Sequence, residues 1–276
     1  KKAGVSEVAI NQHHHAQKIP EALGDGSAFG MKINYSMEEE ILGTGGGIVR
    51  LRAFLEQGTF FLINGDILSS VDLQALLAFH RQRRAVATML VRPIPKDADY
   101  TPLGIDQEGW LVQFKNSQRK AKGQIRPVMF CGVHVLEPQV FDFLPADGFA
   151  CINNQAYTAM IDQGLDVAAF LDQGPWFDLG TPASYLAANR AILSGRVGLP
   201  QIKALDLADR EKKVMLGSGV QLGQSVTLGP EVILGDGCVV GDGARIARSV
   251  LWPGVKVAPG TNLNSVIMTE TDLVEV

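Results

Sequence analysis

The sequence predicts an α/β domain on a mostly parallel sheet, followed by a short parallel β-helix. Three observations carry this. Apolar strand-like runs alternate with helical stretches through residues 5–193. Aliphatic residues then recur every six positions from Leu216. Between the two patterns lies a polar connector, Ser194 to Lys213. The expected parts are 1–195, a connector at 196–213, and a repeat segment at 214–276.

Lys1-Lys2-Ala3-Gly4 reads as the last turn of a helix, closed by a glycine in the left-handed conformation. Val5 to Asn11 alternates like a strand, so the sequence reads as starting inside a fold unit. Ala16 to Leu23 predicts a short helix, and Met31 to Met37 a strand with Met31, Ile33 and Tyr35 on one face. Gly45 to Gln57 predicts a helix opened by glycines. Thr59 to Asn64 is nearly continuous in apolar residues, as a strand buried on both faces requires. Leu73 to Arg83 has helical spacing, and Ala85 to Val91 is a second buried strand. Residues 104–112 predict a hairpin and Met129 to Leu136 a strand. Pro138 to Leu144 and Tyr157 to Gln163 predict short helices, and Asp166 to Leu171 a strand. Thr181-Pro182 opens a helix reaching Leu193, with threonine as N-cap and proline in the first turn.

The repeat segment places one set at Leu216, Leu222, Leu228, Leu234, Val240 and Ile246. A second set follows four residues after each, including Val220, Val226, Val232, Cys238, Ala244 and Val250. The register then loses one residue and resumes at Leu251, Val257 and Leu263, with Val255, Thr261 and Ile267 as second set. Nine repeats at three per turn make about three coils, enough for stacked units to bury their faces. No histidine follows His134, which disfavours an acyltransferase and leaves the coil as scaffold and self-association surface.

Composition excludes several classes. Hydrophobic content of 46% and charged content of 20% fit a packed globular chain. A net charge of −4 gives no electrostatic reason for a nucleic-acid or membrane-surface partner. Residues 81–84 read as the solvated end of a helix. Three well-separated cysteines, Cys131, Cys151 and Cys238, fit neither a disulfide framework nor a zinc spacing and point to reduced thiols in the cytoplasm. No apolar run reaches membrane-span length.

Several motifs could carry chemistry. Asp66 ends a buried strand in Asn64-Gly65-Asp66, where it is either a turn former or a ligand for Mg²⁺. Asp178, in Trp176-Phe177-Asp178-Leu179-Gly180-Thr181-Pro182, is either a second ligand or a capping acid. The glycines of Leu42-Gly43-Thr44-Gly45-Gly46-Gly47 either admit a ligand close to the backbone or make a tight turn. His13-His14-His15 point to alternate faces of an extended segment and do not converge on one ion. Tyr35, Phe60 and Phe61 read as core.

Taken in order, these pieces resemble the sugar-1-phosphate nucleotidyltransferases, particularly the mannose-1-phosphate guanylyltransferase-like branch with a hexapeptide tail. The anchors are residues 40–46, 62–66, 132–138 and 176–182. The resemblance implies a Rossmann-like nucleotidyltransferase sheet and a left-handed parallel β-helix. It implies transfer of an NMP from an NTP to a sugar-1-phosphate, with GTP and mannose-1-phosphate as first choice, and a homo-oligomer formed through the β-helix. By resemblance, Asp66 and Asp178 are the catalytic acids and hold Mg²⁺, while Leu42, Gly43 and Thr44 line the base pocket and Gly65 contacts the nucleotide. Three departures stand out. The family's Gly-rich signature with Gly-Thr-Arg and a later Pro-Lys is missing; Phe114-Lys115-Asn116-Ser117 replaces a Glu-Lys-Pro; and Tyr100-Thr101 replaces a Tyr-Gly. The expectation is therefore a fragment or a gene product read from a late start, with unpaired strand edges, poor solubility and no turnover as it stands. The alternative is a non-catalytic relative that binds a nucleotide-sugar and regulates a partner.

Overall fold

The computed structural model describes residues 3–96, 100–198 and 207–276. The helical turn expected at Lys1-Lys2 and residues 199–206 of the connector lie outside the described residues. The first half of the α/β part runs β1 (Glu7–Gln12), α1 (Lys18–Leu23), β2 (Lys32–Met37), α2 (Gly43–Arg50), α3 (Arg52–Leu55), β3 (Phe60–Ile63), β4 (Ile67–Ser69) and α4 (Leu73–Arg83). There follow β5 (Ala87–Arg92), β6 (Leu103–Ile105), β7 (Leu111–Phe114), β8 (Ser117–Gln118), β9 (Arg126–Leu136), α5 (Thr158–Asp162), β10 (Val167–Leu171), β11 (Trp176–Asp178) and α6 (Pro182–Leu193). Contacts group these into two compact units, Lys1–Asn64 with Val71–Gln173, and Gly65–Ser70 with Gly174–Val276.

In the first unit β1 and β2 pair in parallel, Glu7 opposite Lys32. The larger sheet has the order β10-β5-β9-β6-β7-β8, with β3 also paired to β9. Strands β3, β5 and β10 run in one direction, as successive βαβ units require. The long strand β9 runs against them, opposite Phe60–Ile63 along one edge and Ala87–Arg92 along the other. Periodicity reports burial and not direction, so this reversal has no signature in the sequence. Its core gathers Met89, Val91, Leu136, Phe141, Ile152, Tyr157 and Met160, each almost fully buried.

Several expectations are corrected. Gly45 to Gln57 is not one helix: the chain breaks at Leu51 (φ −97°, ψ 12°), between α2 and α3. Strand β3 is only partly buried and Ile63 is exposed, because β9 is its one ladder partner among the described residues. On β2, Ile33 and Tyr35 are half-buried, and Ser36 on the opposite face is the buried residue. The Tyr35 hydroxyl donates to the Gly24 carbonyl at 2.6 Å. Arg83 is not a solvated cation: its guanidinium lies 3.9 Å from the Trp110 ring centre and donates to the Glu108 carbonyl. Residues 138–143 form a 3₁₀ helix, and a π turn at Asn153–Tyr157 precedes α5.

The second unit holds β4, β11, α6 and the hexapeptide coil. Three parallel ladders make the coil's sides: Val214–Leu216, Val232–Leu234, Val250–Leu251 and Val266–Met268 on one, with two further faces of three strands each. Stacked residues are first 18 apart, as in Val214 with Val232 and Gln221 with Val239. From Ile233 with Val250 onward they are 17 apart, which is the lost residue seen in the sequence. The loss falls at the corner before Ser249. Ser249 and Val266 therefore occupy inward positions, while Val250 and Ile267, expected inside, face outward and pack on Leu186 of α6. Ser249 is fully buried, and its hydroxyl donates to Ala247 O at 2.6 Å and accepts from Val266 N at 3.1 Å. Leu222 is 45% exposed, since its strand pairs with a further coil on one side only. An antiparallel strand, Leu273–Glu275, covers Val266–Met268.

Helix α6 belongs to this second unit because its apolar face has a partner there. Leu186 and Tyr185 pack against Ile233, Val250 and Ile267, the outward residues of one coil face. Burying a leucine side chain contributes about 1.5–3 kcal/mol. At the far end, Arg190 Nε lies 2.6 Å and Arg196 Nη2 3.5 Å from the Glu231 carboxylate.

Candidate functional site

The two aspartates are brought together by a local antiparallel pairing. Strand β11 runs against β4 with Asp178 opposite Ile67 and Trp176 opposite Ser69. One further bond, from Leu179 N to Asp66 O at 2.8 Å, extends the ladder to Asp66. Gly180 then turns between the acids. Its amide donates to Asp178 Oδ1 at 2.9 Å. A methyl group built on Gly180 would lie 3.0 Å from Asp178 Oδ1 and 3.6 Å from Asp66 Oδ2, so both carboxylates border one point in space. Asp66 is exposed and Asp178 half-buried.

Asp178 is not the cap of α6. Thr181 caps that helix, its hydroxyl accepting from Ser184 N at 3.1 Å, while Ser184 Oγ accepts from Thr181 N at 3.2 Å. Both acids therefore retain acceptor oxygens for a ligand. Two hard carboxylates, with no side chain on the glycine between them, fit a divalent cation completed by phosphate oxygens and water. Among the described residues no group of three or more His, Cys, Asp or Glu forms a metal cage. His13 instead places Nδ1 2.9 Å from the Glu38 carbonyl oxygen, and the His14 and His15 rings lie 4.0 Å apart.

Leu42, Gly43 and Thr44 lie in the first unit, at the opening of α2, whereas Gly65 lies in the second with the two acids. The glycines of this segment answer mainly to a neighbouring strand of chain. Gly45 N and Gly46 N both donate to Ala150 O, at 2.8 and 3.2 Å, and Ala150 N donates to Leu42 O at 2.8 Å. A methyl on Gly43 or Gly45 would come 2.7 or 2.9 Å from Ala150 O, and one on Gly46 2.3 Å from Gly148 O. Gly47 faces Glu38 Oε1 and Asn11 Nδ2, at 3.0 and 3.2 Å from the same construction. These glycines thus admit residues 148–150 and the Glu38 carboxylate close to the backbone of α2. At Gly65, by contrast, a methyl meets nothing within 4 Å.

What α2 leaves for a ligand is narrower than its sequence suggests. Leu42 N is taken by Glu38 Oε2 at 3.1 Å. Gly43 N and Thr44 N make no hydrogen bond among the described residues, and the Thr44 side chain is exposed. Consecutive free donors at a positive helix end suit an acceptor-bearing ligand. Sequence reasoning missed Glu38 and Ala150. Glu38 is almost fully buried, accepts from Asn11 Nδ2 at 3.0 Å and from Leu42 N, and makes no ion pair among the described residues. Its signal was an acid at a strand end just before a glycine loop. Ala150 acts through its backbone, which no residue type announces.

Comparison with known proteins gives the same outline. Residues 1–195 match the nucleotidyl transferase family, and residues 213–248 the bacterial transferase hexapeptide (six repeats) family. The mannose-1-phosphate guanylyltransferase of Mycobacterium tuberculosis is 29% identical over 203 residues, covering 73% of this chain and 55% of that protein. The UTP–glucose-1-phosphate uridylyltransferase of Synechocystis is 26% identical, covering 74% of this chain and 56% of that protein. The chain thus spans about half the length of these curated relatives. The crystal structure of HddC from Yersinia pseudotuberculosis complexed with GMP-PN shares the fold, with a TM-score of 0.53 and 21% identity over 68% of this chain and 79% of that one. Members of the matched family generally use divalent metal ions.

Proposed function

The chain belongs to the nucleotidyl transferase family, and from that premise we propose that it transfers an NMP from an NTP to a sugar-1-phosphate, releasing pyrophosphate. The observation that carries this reading is the pairing of Asp66 and Asp178 around Gly180. Here Asp66 and Asp178 hold Mg²⁺, which when bound neutralises phosphate charge that otherwise repels the attacking anion. The Gly180 amide holds Asp178 Oδ1 in place, and the β4–β11 ladder fixes the spacing of the two acids. Leu42, Gly43 and Thr44, at the start of α2, take the nucleotide. In such reactions the protein's work is positioning and charge stabilisation, with little covalent chemistry of its own.

The substrates proposed first are GTP and mannose-1-phosphate, supported by the guanylyltransferase similarity. The uridylyl- and thymidylyltransferases among the relatives make a substrate panel the direct test. Self-association through the hexapeptide coil, and action in the cytoplasm, belong to the same proposal; no described helix is long and apolar enough to cross a membrane. The full-length gene product is assayed for pyrophosphate release with each NTP and sugar-1-phosphate pair. Asp66→Asn or Asp178→Asn abolishes turnover and leaves the circular dichroism unchanged; near-normal rates in either variant remove that residue from the metal site.

A further inference from the structure

One aromatic side chain beside residues 42–44 is exposed to solvent. Phe149 is 66% exposed, although its neighbour Ala150 is fully buried. Ala150 bonds to Leu42, Gly45 and Gly46 through its backbone, and Gly148 O lies directly under Gly46. Phe149 is therefore held beside the start of α2 by the backbone of Ala150. Its Cε2 and Cζ atoms lie 3.0 and 3.3 Å from where a Gly43 side chain would begin, so the ring rests on the Gly43 Cα. Gly43 N and Thr44 N, the two free donors of the helix start, belong to this residue and the next. Ile41, also exposed, precedes them on the chain.

A flat apolar ring next to two unpaired amide donors matches the chemistry of a nucleobase, which offers a π face for stacking and ring acceptors at its edge. We propose that Phe149 is the stacking platform for the base of the bound NTP. This rests on the assignment of Leu42, Gly43 and Thr44 to the nucleotide. Stacking on an aromatic ring accepts any base, because every base has a π face. Phe149 accordingly supplies affinity common to all NTPs, while choice among bases lies with edge donors and acceptors.

The test is calorimetric binding of GTP, UTP and inorganic tripolyphosphate to the full chain and to Phe149→Ala and Phe149→Tyr. Phe149→Ala weakens GTP and UTP alike by about tenfold, as loss of one stacked base implies. It leaves tripolyphosphate, which has no base, unchanged, and Phe149→Tyr binds like the parent. GTP binding by Phe149→Ala within twofold of the parent overturns the proposal, as does an equal loss for tripolyphosphate. A parent chain that binds no NTP overturns this inference together with the functional reading beneath it. A parent that binds while Phe149→Ala binds equally overturns the platform alone.

Discussion

Gly180→Ala tests the acid pair more sharply than removing either acid, because it changes neither charge nor hydrogen-bonding groups. The new methyl would stand 3.0 Å from Asp178 Oδ1, about 0.5 Å inside ordinary van der Waals contact, and 3.6 Å from Asp66 Oδ2. Asp178 must give way by a few tenths of an ångström, which strains its 2.9 Å bond from Gly180 N and moves one of two proposed ligand oxygens. Disturbing the support of a metal ligand typically costs 10- to 100-fold in metal affinity. Gly180 is exposed and its φ lies outside the left-handed region, so alanine is tolerated by the backbone. The expected signature is thus a protein that keeps the parent's fold and needs roughly 10–100 times more Mg²⁺ for half-maximal pyrophosphate release. Thermal unfolding and a Mg²⁺ titration of the full-length gene product measure both halves. A variant with the parent's Mg²⁺ dependence refutes the claim that these two carboxylates grip one cation.

Two further outcomes follow from the first unit. Gly46→Ala drives a methyl to 2.3 Å from Gly148 O and must push residues 148–150 off α2; a loss of about 1–3 kcal/mol in urea-unfolding stability is expected, and no loss refutes the packing account of the glycines. His134 is fully buried, 2.6 Å from the Tyr157 hydroxyl, and burial pushes its pKa down to about 3 from 6.5. The unfolded chain therefore binds a proton below pH 6.5 that the folded chain refuses, so stability declines as pH falls from about 6.5 toward 3, by up to about 1.4 kcal/mol per pH unit from this group. Unfolding measured at pH 7 and pH 5 shows that drop in the parent, and His134→Gln reduces it; an unchanged drop refutes the assignment to His134.

Much of the fold could be read from residue types because it is written in local rules. Thr181-Pro182 opens α6 as capping chemistry requires, and Asp72, whose carboxylate accepts from Gln74 N and Ala75 N, opens α4. The six-residue period of the coil follows from stacking, since each turn repeats the environment of the one before. Even its single lost residue was visible. The place of that loss was not, because Ser249 looks like a loop residue until its buried hydroxyl is seen bonded to Ala247 and Val266. The acid pair was legible only as two candidates more than a hundred residues apart. Their meeting depends on β4 and β11 pairing antiparallel, a long-range choice that short segments do not encode.

By itself, then, the amino-acid order determined most of the helices and longer strands, the coil, and which residues are candidates for a metal or nucleotide. Tertiary structure decided that β9 runs against its neighbours, that α6 joins the coil, and that the glycines of residues 43–47 make room for Ala150 and Glu38. The physical reason is one of range. Side-chain period, capping and turn chemistry act over a few residues, whereas strand direction and the partner filling a glycine's space are set by segments distant in the chain.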